Sequence, residues 1–114
     1  MSLGVRRGAG VVVVLAGMVF GANAHADVGD GLRIARSNAC LGCHAVDRKL
    51  VGPAFKDVAA RYKGDPQAVD KLAKKVKDGG AGVWGVVPMP AHPRMSDTDI
   101  RMVVQWVLVG APLK

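Results

Sequence analysis

The chain has 114 residues, with 16 Lys and Arg against 9 Asp and Glu, and a formal net charge of +7. This excess of positive charge is modest and no recognition motif accompanies it, which argues against nucleic-acid binding. A chain of this length predicts one small domain with a marginal core, and its two cysteines are too close in sequence for a disulfide to add much stability.

The N-terminal segment is typical of a secretory signal peptide. Arg6 and Arg7 form a positively charged start, residues 11–20 form an apolar stretch, and Ala24-His25-Ala26 is a small-x-small cleavage site. We expect residues 1–26 to be removed after Ala26, leaving residues 27–114 as an exported, periplasmic domain. An uncleaved membrane anchor is the alternative. However, a bilayer-spanning helix needs about 20 apolar residues and this stretch is shorter, so we expect no stable membrane insertion.

The most informative segment, Cys40-Leu41-Gly42-Cys43-His44, follows a weak helix predicted over residues 29–38, which contain two glycines. Two thiols three residues apart lie on one side of a helical turn and can add to the two vinyl groups of a porphyrin. The histidine directly after them projects over the ring, where an imidazole nitrogen can bind iron. The spacing therefore predicts one covalently attached c-type haem, tethered by Cys40 and Cys43, with His44 as the proximal ligand.

Three other interpretations of this segment compete with a haem tether. A thioredoxin-like Cys-x-x-Cys pair belongs in a βαβ context, which the sequence does not indicate, and it does not need the histidine. A structural zinc site needs four protein ligands, and the chain has no further cysteine. A chance match is the third interpretation, but three uncommon residue types at fixed offsets make such a match rare.

Two further helices are predicted after the motif from the spacing of apolar residues. Positions 55, 58, 59 and 62 form one apolar stripe between the Gly52-Pro53 breaker and Gly64. Positions 69, 72, 73 and 76 repeat the pattern. For this helix we expect Asp65 to be the N-cap, Pro66 to be the first helical residue and Gly79-Gly80 to mark the end.

A last helix is predicted over residues 96–109, with Ser96 as its N-cap. Asp99 stands three residues on, as in a capping box, and Met95 is placed to pack against Ile100 as a hydrophobic staple. Only a narrow polar stripe interrupts the apolar surface of this helix, so we expect it to be largely buried. No strand pattern or internal repeat is present, and the fold class is therefore predicted to be all-α.

The long loop over residues 79–95 contains a candidate second iron ligand. Met89 lies between two prolines, so its backbone is extended and restricted. Its thioether is a soft, uncharged ligand that stabilises ferrous iron. Core packing is the usual role of a methionine, but the two prolines and the nearby Trp84 favour ligation. His92 is the competing ligand, and a solvent-facing loop histidine is the other interpretation of that residue.

Five short segments follow one another along the chain in a characteristic order and spacing: Cys40–His44, Val51-Gly52-Pro53-Ala54-Phe55-Lys56-Asp57-Val58-Ala59, Gly82-Val83-Trp84-Gly85, Pro88-Met89-Pro90 and Trp106-Val107-Leu108. In this order and spacing, the chain resembles the short class I bacterial cytochromes c over essentially all of residues 27–114. The resemblance implies the class I cytochrome c fold, with about four helices and loops wrapped around one covalently bound haem c.

The resemblance also implies a set of cofactor-binding residues: Cys40, Cys43, His44, Met89, Pro53 and Trp84, of which His44 and Met89 are the axial metal ligands. The Pro53 carbonyl would accept a hydrogen bond from the second ring nitrogen of His44, and the Trp84 indole N–H would reach a haem propionate. Lys75 stands where a basic residue can neighbour the propionates. His92 replaces an asparagine that supports the methionine sulfur in some relatives.

A six-coordinate haem has no open site for a substrate, so we expect an electron carrier and not an enzyme. We expect it to pass one electron, as a monomer, between respiratory-chain donors and a terminal reductase or oxidase. A haem enzyme with an open coordination site and a non-haem thiol protein are the alternatives. A basic face could steer the domain to acidic patches on redox proteins, although an ordinary solvated surface explains these charges equally well. The face consists of Lys71, Lys74, Lys75 and Lys77, with Arg48, Lys49 and Lys56.

Overall fold

The computed structural model describes residues 28–114 as a continuous segment, together with residues 2, 4, 8–13 and 17. The predicted signal-peptide features at Arg6-Arg7 and Ala24-His25-Ala26, and the expected cleavage site, lie outside the described residues. The described part of the chain contains no strand and five helices: α1 Val28–Ser37, α2 Cys40–Cys43, α3 Phe55–Arg61, α4 Ala68–Asp78 and α5 Asp97–Leu108. The all-α prediction is therefore confirmed. No helix in this part of the chain is both long and apolar enough to cross a bilayer.

The last helix, α5, forms the centre of the fold. It packs against α1, α3 and α4. At its start, the Ser96 hydroxyl accepts the backbone N–H of Asp99 at 3.1 Å, which is the predicted N-cap. Met95 lies in the same buried cluster as the α5 side chains, in agreement with the predicted staple. The predicted burial of this helix is also observed, and its buried residues are Ile100, Val103, Val104, Trp106 and Val107.

The first helix crosses α5 at a glycine. Gly31 is buried, and a Cβ placed on it would overlap the side chain of Trp106, so a larger residue does not fit there. Ile34 and Ala35 are buried one turn further on. The glycine that lowers the helix propensity of α1 is therefore the residue that lets its backbone approach α5 closely.

The start of α4 differs from the prediction. Asp65 is not the N-cap and Pro66 is not the first helical residue, because the helix begins at Ala68 with Gln67 as its N-cap. The Asp65 carboxylate instead accepts the backbone N–H of Gln67 at 2.8 Å. Since an aspartate can form such a side-chain turn by itself, Asp65-Pro66 makes a separate turn just before the helix. The predicted end is confirmed, with Gly79 as the C-cap at φ 70°.

Candidate haem site

The one-turn helix α2 places both cysteines at one cavity. The His44 N–H donates to the Cys40 carbonyl at 3.0 Å, which closes the turn, and Ala39 before it adopts a left-handed conformation with φ 58°. Cys40 and Cys43 are unbridged, half-buried thiols that line the same cavity. Burial raises the pKa of the Cys40 thiol above its ordinary value, because an apolar environment disfavours the thiolate. The turn thus presents two adjacent sulfur atoms to a largely apolar space.

Three neighbours fix the ring of His44. Its Nδ1 donates a hydrogen bond to the Pro53 carbonyl at 2.8 Å, since a carbonyl oxygen can only accept. Its face stacks on Phe55, with ring centroids 4.8 Å apart, and Gly52 lies so close that a Cβ there would overlap the imidazole. Phe55 in turn contacts Trp106 of α5 edge-on at 5.5 Å, which ties the ring to the core. With Nδ1 occupied, Nε2 is the nitrogen left for a metal.

The loop after α4 forms the other side of the cavity. Gly80 and Met89 are joined by two backbone hydrogen bonds of 2.9 Å, the isolated antiparallel bridge in the described part of the chain. Gly79 lies against the Met89 carbonyl so closely that a side chain at that position would not fit. These contacts fix the backbone of Met89, which is half-buried and lines the cavity.

His92, in the loop after α4, lines the same cavity and is held next to the last turn of that helix. Its backbone N–H donates to the carbonyls of Val76 and Lys77 at 3.0 and 3.2 Å. Its side chain is half-buried, and its Nδ1 is buried without a hydrogen-bond partner. His92 is therefore not the solvent-facing loop histidine of one interpretation, because its side chain is partly buried in the cavity wall. Its role as an alternative iron ligand to Met89 stays a prediction.

The two thiols, the His44 ring and Met89 face a single cavity of about 710 Å³. That volume lies within the range of about 300–1,000 Å³ typical of ligand pockets. Most of the remaining wall is apolar, and its deeper part comes from Phe55, Leu72, Val76, Val103, Val104 and Val107. An apolar cleft with two thiols at one edge, a free imidazole nitrogen and a thioether fits a tethered porphyrin.

The described residues do not favour a zinc site. They contain no group of three or more His, Cys, Asp or Glu side chains placed to hold a metal ion. A structural zinc site needs four such ligands. The donors at this cavity therefore match the tethered haem better than the zinc alternative.

Comparison with known proteins identifies the family. The family model described as Cytochrome c matches residues 28–110. The chain belongs to the cytochrome c family. Cytochrome c-551 from Allochromatium vinosum is 48% identical over 77 residues, which cover 68% of this chain and 82% of that protein.

Solved structures support the same conclusion. The crystal structure of wild-type Nitrosomonas europaea cytochrome c552 is similar with a TM-score of 0.65 and 44% identity, over 68% of this chain and 95% of that one. The Class 1 cytochrome MtoD from Sideroxydans lithotrophicus ES-1 has a TM-score of 0.65 and 32% identity, over 73% of this chain and 95% of that one. As a cytochrome c, the protein binds one covalent haem c and is a small electron carrier. The predicted fold class and cofactor are confirmed.

The lysines of this cytochrome differ in their surroundings. Three of the four predicted on α4 form ion pairs with aspartates: Lys71 with Asp65 at 2.7 Å, Lys74 with Asp78 at 2.7 Å and Lys77 with Asp97 at 3.7 Å. Lys49 and Lys75 instead line the haem cavity, and neither forms an ion pair within the described part of the chain. The positive charge of α4 is therefore largely balanced locally, while the rim of the cavity keeps its positive charge.

Trp84 forms part of the outer wall of the cavity and is 39% exposed. The guanidinium of Arg61 lies over its ring, 4.9 Å from the centroid. The sequence pattern indicates no role for Arg61, and it does not show that Gly52 and Phe55 are neighbours of His44. Gly52 and Phe55 belong to the Gly-Pro-Ala-Phe segment that follows the haem motif. From sequence alone, this segment indicates only a helix break at Gly52-Pro53 and a core position at Phe55.

Proposed function

We propose that His44 and Met89 would be the two protein ligands of the haem iron, and that this cytochrome carries single electrons in the periplasm between respiratory-chain donors and a terminal reductase or oxidase. The observation that carries the proposal is that His44 and Met89 line one cavity together with both tethering cysteines. Two protein ligands in addition to the porphyrin nitrogens would leave the iron no position for a substrate, so the proposed role is that of a carrier without enzymatic activity.

The residues around the site support this role in different ways. When bound, the haem supplies a one-electron ferrous–ferric couple. The hydrogen bond from His44 to the Pro53 carbonyl orients the imidazole and raises its basicity as a ligand. The Met89 thioether is soft and uncharged, so it stabilises ferrous iron and raises the reduction potential. We assign to Trp84 a hydrogen bond from its indole N–H to a haem propionate.

The ferric absorption spectrum tests the second ligand. We expect the weak far-red band of sulfur-to-iron charge transfer in the wild-type protein and its loss in Met89→Ala. Met102→Ala, which changes a half-buried methionine of α5 away from the cavity, should keep the band, and so should His92→Ala. If the band survives in Met89→Ala, or is lost in His92→Ala alone, Met89 is not the ligand as proposed.

Export is tested by the N-terminus of the protein recovered from the periplasm. The signal-peptide pattern in residues 1–26 leads us to propose a mature chain that begins at Asp27. N-terminal sequencing of the haem-loaded protein should find this residue first. A chain that keeps residues 11–20 and remains with the membrane would contradict the proposal.

Docking is tested by the salt dependence of electron transfer. We propose a monomer that meets acidic redox proteins partly through lysines at the cavity rim, because Lys49 and Lys75 have no carboxylate partner in the described part of the chain. Lys49→Gln should slow association with an acidic partner more than Lys74→Gln, whose charge is already paired with Asp78. Equal effects of the two changes, or rates that do not respond to salt, would indicate an apolar contact instead.

A further inference from the structure

The segment of residues 81–88 forms the outer wall of the haem cavity with little backbone support. At its base, Gly80 and Met89 are paired. Within it, one hydrogen bond, from the Gly82 N–H to the Gly85 carbonyl at 2.8 Å, closes a turn. Every residue from 81 to 88 is exposed. The backbone hydrogen bonds therefore hold the ends and the turn of this segment, but none joins its tip to the rest of the described chain.

One side-chain contact makes that connection. The guanidinium carbon of Arg61 lies 4.9 Å from the centroid of the Trp84 ring, within the distance of about 6 Å at which a cation is attracted to an aromatic face. No other ring contact, ion pair or side-chain hydrogen bond joins residues 81–88 to the rest of the residues that the structure describes. Arg61 therefore supplies the one ring or polar side-chain contact between the tip and the rest of the described chain.

Both ends of α3 contact the haem site. Arg61 is its last residue, and Phe55, its first, stacks on the ring of His44. The helix has seven residues and, at about 1.5 Å of rise per residue, is short enough to act as one rigid element. The same helix therefore supports the wall that carries the proximal histidine and the wall that carries Trp84.

We propose that Arg61 is a positioning residue that holds Trp84 and residues 81–88 against the haem cleft. A guanidinium is planar and weakly hydrated, so it can stack on the indole face, whereas the ammonium of a lysine is compact and strongly hydrated. We call the position of residues 81–88 against the cavity closed, and a position in which Trp84 has left Arg61 open. An exposed cation–π contact favours the closed position over the open one by about two- to fivefold. This inference does not depend on whether Met89 or His92 is the second iron ligand.

Amide hydrogen exchange of the haem-loaded protein, followed by NMR, tests the proposal. Arg61→Met keeps the length of the side chain and removes its charge, while Arg61→Lys keeps the charge. Lys63→Gln is the matched control, because Lys63 is also exposed just after α3 and has no contact with Trp84. We expect Arg61→Met to speed exchange of the hydrogen-bonded Gly82 amide by about two- to fivefold, Arg61→Lys to speed it less, and Lys63→Gln to leave it unchanged.

Two further signals separate local opening from other effects. The buried amides of Val103 and Val104 in α5 report global unfolding, which also breaks the contact, so in Arg61→Met they should accelerate by no more than about the same two- to fivefold, and in Lys63→Gln they should keep the wild-type rate. The Nε1–H resonance of Trp84 should shift in Arg61→Met and return towards its wild-type position in Arg61→Lys. Unchanged Gly82 exchange in Arg61→Met would overturn the proposal. It would also be overturned if Gly82 exchanged no faster than the α5 amides, so that it opened only by global unfolding, or if Lys63→Gln had as large an effect as Arg61→Met.

Discussion

Gly52→Ala tests whether the close packing of Gly52 positions the haem-facing histidine. Gly52 is not among the glycines with positive φ, so alanine can adopt its backbone conformation and only the new contact matters. A Cβ at this position would lie 2.8 Å from Nδ1 and 3.0 Å from Nε2 of His44, closer than ordinary side-chain contacts. The imidazole is also held by Pro53 and Phe55, so it cannot move without loosening those contacts. Forcing an extra methyl group into such a site costs about 1–3 kcal/mol of unfolding free energy.

The assay is unfolding of the haem-loaded protein by denaturant and by heat, with Gly42→Ala as the control. Gly42 lies in α2, where an added Cβ meets nothing within 4 Å, so alanine there should be neutral or slightly stabilising. We expect Gly52→Ala to lower Tm by about 4–8 °C for each kcal/mol lost. It should also shift the reduction potential, because the hydrogen bond from His44 to Pro53 weakens. If Gly52→Ala unfolds like the wild type and keeps its potential, this contact does not position the ring and the reasoning is refuted.

Three more outcomes follow from the described contacts. Ser96→Ala removes the cap of α5 and should cost about 0.5–2 kcal/mol in a denaturant titration, whereas Thr98→Ala in the same turn should have little effect. The hydrogen-bonded Lys71 ammonium holds the pKa of Asp65 below its ordinary value. This carboxylate therefore stabilises the fold above its unfolded pKa of about 3.9, and the contribution is lost as pH falls through the folded pKa. Asp65→Asn should narrow the difference in stability between neutral and acid pH, and an unchanged difference would contradict this assignment. The reduced protein should bind carbon monoxide poorly at neutral pH and Met89→Ala should bind it readily, so rapid binding by the wild type would argue against a closed carrier.

The sequence predicts the elements of this fold well where the signal is local. The cap at Ser96 and the staple at Met95 each involve residues within one or two turns of a helix, and the structure confirms both. The start of α4 was predicted wrongly, although its signal is also local. Asp65 can satisfy a backbone N–H either as an N-cap or in a turn of its own, and the sequence does not distinguish these two uses.

Contacts between distant segments account for most of what the sequence does not reveal. The motif indicates that His44 faces the haem, but the stack on Phe55 and the close approach of Gly52 depend on how the chain returns after the motif. The contact of Arg61 with Trp84 joins α3 to a loop that follows α4, and no periodicity connects them. The sequence therefore predicts which side chains would bind the haem, but not which contacts hold those side chains in place.

The crossing of α1 and α5 at Gly31 and Trp106 also closes most of the described chain into one large loop. The first and last described helices meet there, and the haem-tethering turn lies in the chain between them. Closing a long stretch of chain is entropically costly, so a contact between such distant segments slows folding relative to local contacts. Cys40 and Cys43 belong to the loop that this crossing closes, and we expect a substitution that weakens the crossing to loosen the haem-tethering turn as well as the core.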